Sequence, residues 1–198
     1  MAWDSKRIIS GHMDLLFHAL VGAIIGELSP KNIEKRQLKG ALGGISPDIA
    51  NLITYPYLGI AIGNPIPYAT PSDFYANPWI VDHWSYVPWE ITHSLLFWGL
   101  VIMPLLYYFK ISKLIGLGYF SHIILDLPSH TGIWSSVPLY PSNIMFEGWF
   151  DAWAWPLSDI LFWSLFPFIL WRILAYLRGI DTAFLRWPSE EKFARREA

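Results

Sequence analysis

The longest apolar run, Leu157–Leu177 (LSDILFWSLFPFILWRILAYL), limits the fold more than any other feature of the chain. About 20 apolar residues in a helix, at ~1.5 Å each, cross the ~30 Å hydrocarbon core of a bilayer, and this run meets that length. Arg172 lies near its end, and Arg178, Arg186 and the charged tail EEKFARREA follow. Composition points the same way. The chain is 54% hydrophobic and 15% charged, whereas soluble domains carry roughly 45–50% and 25%. A membrane is therefore the first environment to consider.

Four further apolar segments precede that run. Leu15–Leu28 (LLFHALVGAIIGEL) contains Gly22 and Gly26, a GxxxG pair that lets helices approach closely. It is short for a span unless Ile8 to Met13 extends it. A weaker segment from Gly40 to about Ile62 is broken at Ser46-Pro47-Asp48, Ser94 to Phe109 contains Pro104, and Leu114 to Leu127 is expected to stop at Pro128. Lys31 to Lys39 reads as a basic loop. Asn64 to Glu90 and Gly132 to Pro156 read as two long loops, rich in Pro and aromatic residues, which prolines keep irregular and aromatics keep ordered. The expected fold is all-α: a polytopic membrane bundle of about five helices, one domain over residues 1–180, with residues 181–198 as a charged tail. No internal repeat is visible.

Charge gives that bundle an orientation. Lys and Arg concentrate in Lys31 to Lys39, in Lys110 to Lys113 and after Arg172, and such loops stay in the cytoplasm. Five crossings then alternate, with the N-terminus outside and both aromatic loops on the outer face; only Lys6 and Arg7 run against the pattern. Trp149, Trp153 and Trp155 are expected to anchor the interface. A net charge of −2 without a long basic run argues against nucleic-acid binding. The absence of cysteine excludes disulfides, thiolate chemistry and Cys-type zinc sites. The N-terminus lacks the pattern of a removable signal peptide.

Polar residues inside the apolar segments carry the functional signal. His122 and Asp126, four apart, share one helix face, and His130 follows just beyond Pro128. His18, Asp48 and His93 fall at similar depth in three other segments, all in the outer half of the bundle. Intramembrane ionisable residues pair, line a cavity or bind ions. A cluster of His and Asp without matching Lys or Arg calls for cations. Taken singly, each admits a simpler reading: a hydrogen-bonded pair for His122 and Asp126, satisfied buried histidines for His18 and His93, a helix cap for Asp48, a solvated turn for His130. His12 and His83 read as surface or loop histidines. Glu90 and Glu147 read as solvated, with a base or ligand role as the alternative.

Read in order, His18-x-x-x-Gly22, Gly43-Gly44-Ile45-Ser46-Pro47-Asp48, Ile91-Thr92-His93-Ser94 and Gly118-Tyr119-x-Ser121-His122-x-x-x-Asp126 resemble the motifs of the membrane-bound metal-dependent hydrolase family. Those are inner-membrane proteins distantly similar to zinc-dependent phospholipase C and single-strand nucleases. The resemblance covers roughly Gly11 to Pro141 and implies a phospholipase C-like metal-site core. It makes His18, Asp48, His93, His122, Asp126 and His130 metal ligands for one to three divalent ions, most simply zinc. Asp48 and Asp126 are then the catalytic carboxylates, Asp126 bridging two ions, and the substrate is a phosphoester, a phospholipid among the candidates. The chain departs from the pattern at Pro88 and Trp89, where that family commonly has His-Arg. Two other classes are carried beside the hydrolase: a non-catalytic membrane protein with a structural metal site or ion-conducting cavity, and a soluble helical relative whose apolar helices fill a core.

Overall fold

A computed structural model describes residues 14–179; His12, Lys6, Arg7 and the tail 181–198 lie outside that range. Among the described residues the fold is all-helical, with one isolated β-bridge between Ser136 and Phe146. Eight helices are named here: α1 Asp14–Leu28, α2 Arg36–Ile45, α3 Asn51–Ala61, α4 Pro71–Ala76, α5 Val87–Thr92, α6 Leu95–Tyr108, α7 Lys113–Ser129 and α8 Leu157–Leu177. Helices α1, α2 and α7 form the centre, and α8 packs on α1.

The central three helices meet through glycine. A Cβ on Gly22 would strike the Gly40 carbonyl, and one on Gly40 would strike that of Gly22. Gly26 lies against the Arg36 and Gln37 backbone, Gly44 against His18, Gly43 against Ile115, and Gly118 against Gly40 and Gly44. The GxxxG pair in α1 thus does what its spacing implied, with α2 as the partner and α7 pressed onto the same surface. Close backbone approach of this kind replaces the hydrophobic drive that apolar solvent cannot supply between helices.

Prolines behave differently from expectation. Pro71, Pro78 and Pro88 each sit in the first turn of a helix or 3-10 turn, where the missing N–H costs nothing and the fixed φ suits the start. The 64–90 segment is therefore a chain of short helices rather than irregular loop. A capping box reinforces α4, in which Thr70 and Asp73 satisfy each other's backbone N–H groups. Pro128 does not stop α7 at Leu127; it falls in the last turn of a helix that ends at Ser129. The end is completed from outside, as Trp149 N–H donates to the Pro128 carbonyl at 2.8 Å and Gly148 N–H to that of His130 at 2.7 Å. Gly148 is required there, since a Cβ would meet the carbonyls of Leu127, Pro128 and His130. The expected basic loop is likewise shorter than Lys31 to Lys39, because α2 begins at Arg36 behind Lys35, whose φ of 49° is left-handed.

The two aromatic segments fold onto each other. Tyr55, Phe74, Ile80, Tyr86, Trp89, Trp134 and Trp153 form one buried cluster, with Trp134 and Trp153 stacked at 4.8 Å and 13°. Partial desolvation, with the hydrogen bond donated to Asp151, pushes the phenol of the exposed Tyr75 up to about 12. It therefore stays a donor while accepting from Trp134 Nε1 at 3.1 Å. Trp153 is thus core rather than an interfacial anchor, whereas Trp149 is exposed. The apolar surface left over is large. Only 33% of the most apolar window of α8 is buried, and Leu161, Phe162, Leu165, Phe166, Leu170 and Leu177 face outward. An apolar helix that merely filled a core would be buried, and these side chains are not. Among the described residues α8 alone has the length of a span. The bent pair Trp84–Thr92 and Leu95–Tyr108, at 59°, would make a second, and Leu15–Leu28 is shorter.

The glycine contact is testable. Overpacking costs ~1–3 kcal/mol and a domain of this size loses ~2–4 °C per kcal/mol, so Gly40→Val in detergent is expected to lower the unfolding midpoint by about 5 °C. Gly99→Val, with nothing within 4 Å of a new Cβ, is expected to cause no loss. Equal losses at both positions in a fluorimetric melt would remove close approach as the reason for Gly40.

Candidate metal centre

The donors come from four segments of the chain. α7 carries His122 and Asp126 one turn apart, with His122 Nε2 3.1 Å from Asp126 Oδ2. His18 comes from α1, its ring stacked on that of His122 at 3.7 Å and 24°, a separation that the glycine contacts permit. Asp48 sits in the 3-10 turn Pro47–Ala50 that splits α2 from α3. It does not cap the turn, since Ser46 holds that position; instead its carboxylate accepts from the Asn51 side chain at 3.0 Å. His93 occupies the bend between α5 and α6, where Ser94 caps α6 and donates to the Tyr140 carbonyl at 2.9 Å.

These five side chains converge. His18 Nε2 lies 3.2 Å from Asp126 Oδ1. His93 Nε2 lies 3.5 Å from Asp126 Oδ2 and 3.6 Å from Asp48 Oδ1, and His122 Nε2 lies 3.8 Å from Asp48 Oδ2. Two overlapping groups result, His18, His122, Asp126 and Asp48, His93, His122, each with donor atoms within 4.8 Å of one another. Burial is nearly complete: the side chains of His18, His93, His122 and Asp126 are at most 5% exposed, and Asp48, at 11%, is the most open.

Hydrogen bonds at the far ring nitrogens decide which atoms face the centre. His122 Nδ1 is 2.6 Å from the Gly44 carbonyl and His93 Nδ1 is 2.8 Å from that of Trp89. A carbonyl only accepts, so both Nδ1 atoms carry the proton and donate. The two Nε2 atoms then point at each other across 3.1 Å, and at most one proton fits between them. At least one Nε2 is therefore unprotonated, able to accept from its neighbour or to ligate a cation, in a buried space that already holds two carboxylates. The nearest partners of the Asp126 carboxylate among the described residues are imidazole nitrogens, His122 Nε2 at 3.1 Å and His18 Nε2 at 3.2 Å, so its charge has no guanidinium or ammonium beside it. A cation resolves both excesses at once. Nitrogen and carboxylate oxygen suit zinc, and the Nδ1–H to carbonyl bonds are the usual outer support of metal-bound imidazole. The donor set fits a divalent metal.

His130 sits at the edge of this group, its Nδ1 3.9 Å from Asp126 Oδ1. Its Nδ1 is 3.0 Å from the Asp126 carbonyl and its Nε2 accepts from Trp153 Nε1 at 2.5 Å. Both nitrogens are engaged, and it links the aromatic cluster to the backbone of Asp126. Trp89 supports His93 twice, through its carbonyl and through a ring stacked on the imidazole at 4.3 Å and 22°. His83 binds Ser85 in its loop, Glu90 is half-buried, and Glu147 is exposed and accepts from Thr131. None of the three joins the donor group.

One buried polar centre was missed from the sequence. Glu27, fully buried, accepts from Arg36 at 3.1 Å and Gln37 at 2.7 Å and pairs with Arg178 Nε at 3.3 Å. Arg178 also donates to the carbonyls of Leu28 and Ser29, closing the C-terminus of α1. An acid ending an apolar helix just before a basic segment was the available signal.

An all-helical chain with an outward apolar surface, a full-length apolar helix and a buried His/Asp group able to hold a metal ion is a membrane protein with a candidate metal centre. The sequence model of the YdjM inner membrane protein family matches residues 13–193, and the chain belongs to that family. No curated protein and no solved structure matches it.

Protein purified in detergent is expected to carry about one or more divalent ions per chain, and both His122→Ala and Asp126→Ala to lose at least about ten-fold in metal affinity. Elemental analysis with equilibrium dialysis checks this. Metal content unchanged in both variants would overturn the assignment.

Proposed function

We propose that this protein is a membrane-bound, metal-dependent hydrolase of phosphoesters. One observation carries the reading: three imidazoles and two carboxylates meet in a buried group whose acids have only histidines as ion-pair partners among the described residues. The phosphoester class comes from the resemblance of the four ordered motifs. Asp48, His93, His122 and Asp126 Oδ2 would hold a central ion. Asp126 Oδ1 and His18 would hold a neighbour, because His122 has a single lone pair to give. Bound there, a divalent ion supplies Lewis acidity toward a phosphoryl oxygen and lowers the pKa of a water to about 7. Asp48, the most accessible of the donors, would be the carboxylate nearest to solvent and so the one able to accept a proton there. Trp89 and Gly44 hold the rings of His93 and His122 in the required tautomers.

A second reading has one observation in its favour. The donors are so enclosed, with Trp89 where the hydrolase family that the motifs resemble commonly has Arg, that the metal site suits a closed structural role. The two separate in one assay series. The hydrolase reading expects turnover of bis(p-nitrophenyl) phosphate or of a phospholipid that falls at least about 100-fold in Asp126→Ala or Asp48→Asn. Metal that raises the unfolding temperature without turnover on either substrate favours the structural site and removes the hydrolase.

The same reading includes five crossings with the donors in the non-cytoplasmic half. Supporting it, Lys31, Arg36 and Arg178 gather at the Glu27 end of α1, nine residues or about 14 Å from His18, and basic ends stay inside. The absence of cysteine gives a clean background. Asn143→Cys is expected to react with an impermeant maleimide in intact cells, and Glu34→Cys only after permeabilisation. The reverse pattern would invert the topology.

A further inference from the structure

Next to the donor group lies a half-open cavity of about 510 Å³, lined by Phe17 of α1, Leu125 of α7, Ile160 and Trp163 of α8, and Trp155 of the preceding segment. Its volume lies in the ~300–1,000 Å³ range of ligand sites. At ~30 Å³ for a group the size of a water, it accepts a chain of on the order of ten or more carbons. The wall is apolar almost throughout, with Ser129 and His18 as the polar exceptions. His18 is also the residue whose Nε2 lies 3.2 Å from Asp126 Oδ1. One end of the cavity thus abuts the candidate metal centre. A phosphate or a small water-soluble ester needs no such apolar volume.

The way in is equally specific. Ile160 and Trp163 line the cavity, while Leu161, Phe162 and Phe166 on the same helix are exposed and apolar. One helix therefore has the cavity on one side and the surface suited to lipid on the other. Trp163, itself 46% exposed, stands at the boundary. A hydrocarbon chain can enter sideways from the bilayer without passing through water.

We propose that this cavity binds one acyl chain of a membrane phospholipid and sets its phosphate at the His18–Asp126 end. The chemistry at the phosphate rests on the hydrolase reading; the chain site itself does not. The amphipathic layout selects the ligand: an anionic head at the cation-binding donors, and a tail in an apolar slot beside a membrane helix.

The test uses the full chain in nanodiscs of phosphatidylethanolamine and phosphatidylglycerol, with a trace of phosphatidylglycerol bearing a diazirine midway along one acyl chain. After irradiation, mass spectrometry is expected to find adducts on Phe17, on Leu125 and between Ala152 and Trp155. Ala152→Trp, which fills the cavity, is expected to cut them about tenfold, while adducts on Leu161, Phe162 and Phe166 persist and report an intact fold. Should that variant not fold, the wild-type map decides alone: adducts confined to the outer face of α8 overturn the proposal. Turnover of the same lipid is measured in parallel. Adducts in the cavity without turnover keep the chain site and remove the hydrolase reading; turnover without adducts in the cavity does the opposite.

Discussion

Backbone contact between α1, α2 and α7 is the constraint on which the candidate site depends. Gly22, Gly26, Gly40, Gly43, Gly44 and Gly118 leave no room for a Cβ at the crossing, so the three helices lie closer than side-chain packing would allow. That closeness stacks His18 on His122 at 3.7 Å and sets the Gly44 carbonyl 2.6 Å from His122 Nδ1. In a bilayer, where lipid tails are as apolar as leucine, small residues and interhelical hydrogen bonds carry association. The glycines therefore serve packing and site geometry together.

Burying two carboxylates among imidazoles is unfavourable unless their charge is met. The surrounding structure removes the easy answers. Carbonyl oxygens of Gly44 and Trp89 accept hydrogen bonds from the Nδ1–H groups of His122 and His93, which leaves both Nε2 atoms facing the centre. Trp153 occupies His130 Nε2, keeping that ring as a support for the Asp126 backbone. What remains is an acceptor-rich space that a cation would balance. The Trp at position 89 fits this arrangement: its ring packs on His93 while its carbonyl sets the tautomer.

The two ends of α1 divide the molecule's polar work. At one end Glu27 is neutralised by Arg36 and Arg178, a closed ion-pair network that ties α8 to α1 and α2. At the other, the Asp126 carboxylate meets imidazoles rather than guanidinium groups among the described residues. The same kind of buried acid is thus structural where guanidinium groups surround it and available for a metal where imidazoles do.

Much of this was legible in the residues. The apolar run of α8, the GxxxG of α1 and the i, i+4 pair on α7 follow from local periodicity, and the convergence of His18, Asp48, His93 and Asp126 followed from placing them at similar depth. Proline was misread as a breaker at positions 71, 78 and 88, because only the tertiary chain shows that each lies in a first turn. The roles of Trp153 and Gly148 were not legible, as their partners are distant in sequence. By itself, then, the sequence determined the apolar helices, the glycines that let them touch and the chemical identity of the donors. Tertiary structure alone decided which lone pairs face the centre. An imidazole's free nitrogen is set by the bond its other nitrogen makes, and for His122 that bond goes to a carbonyl 78 residues away.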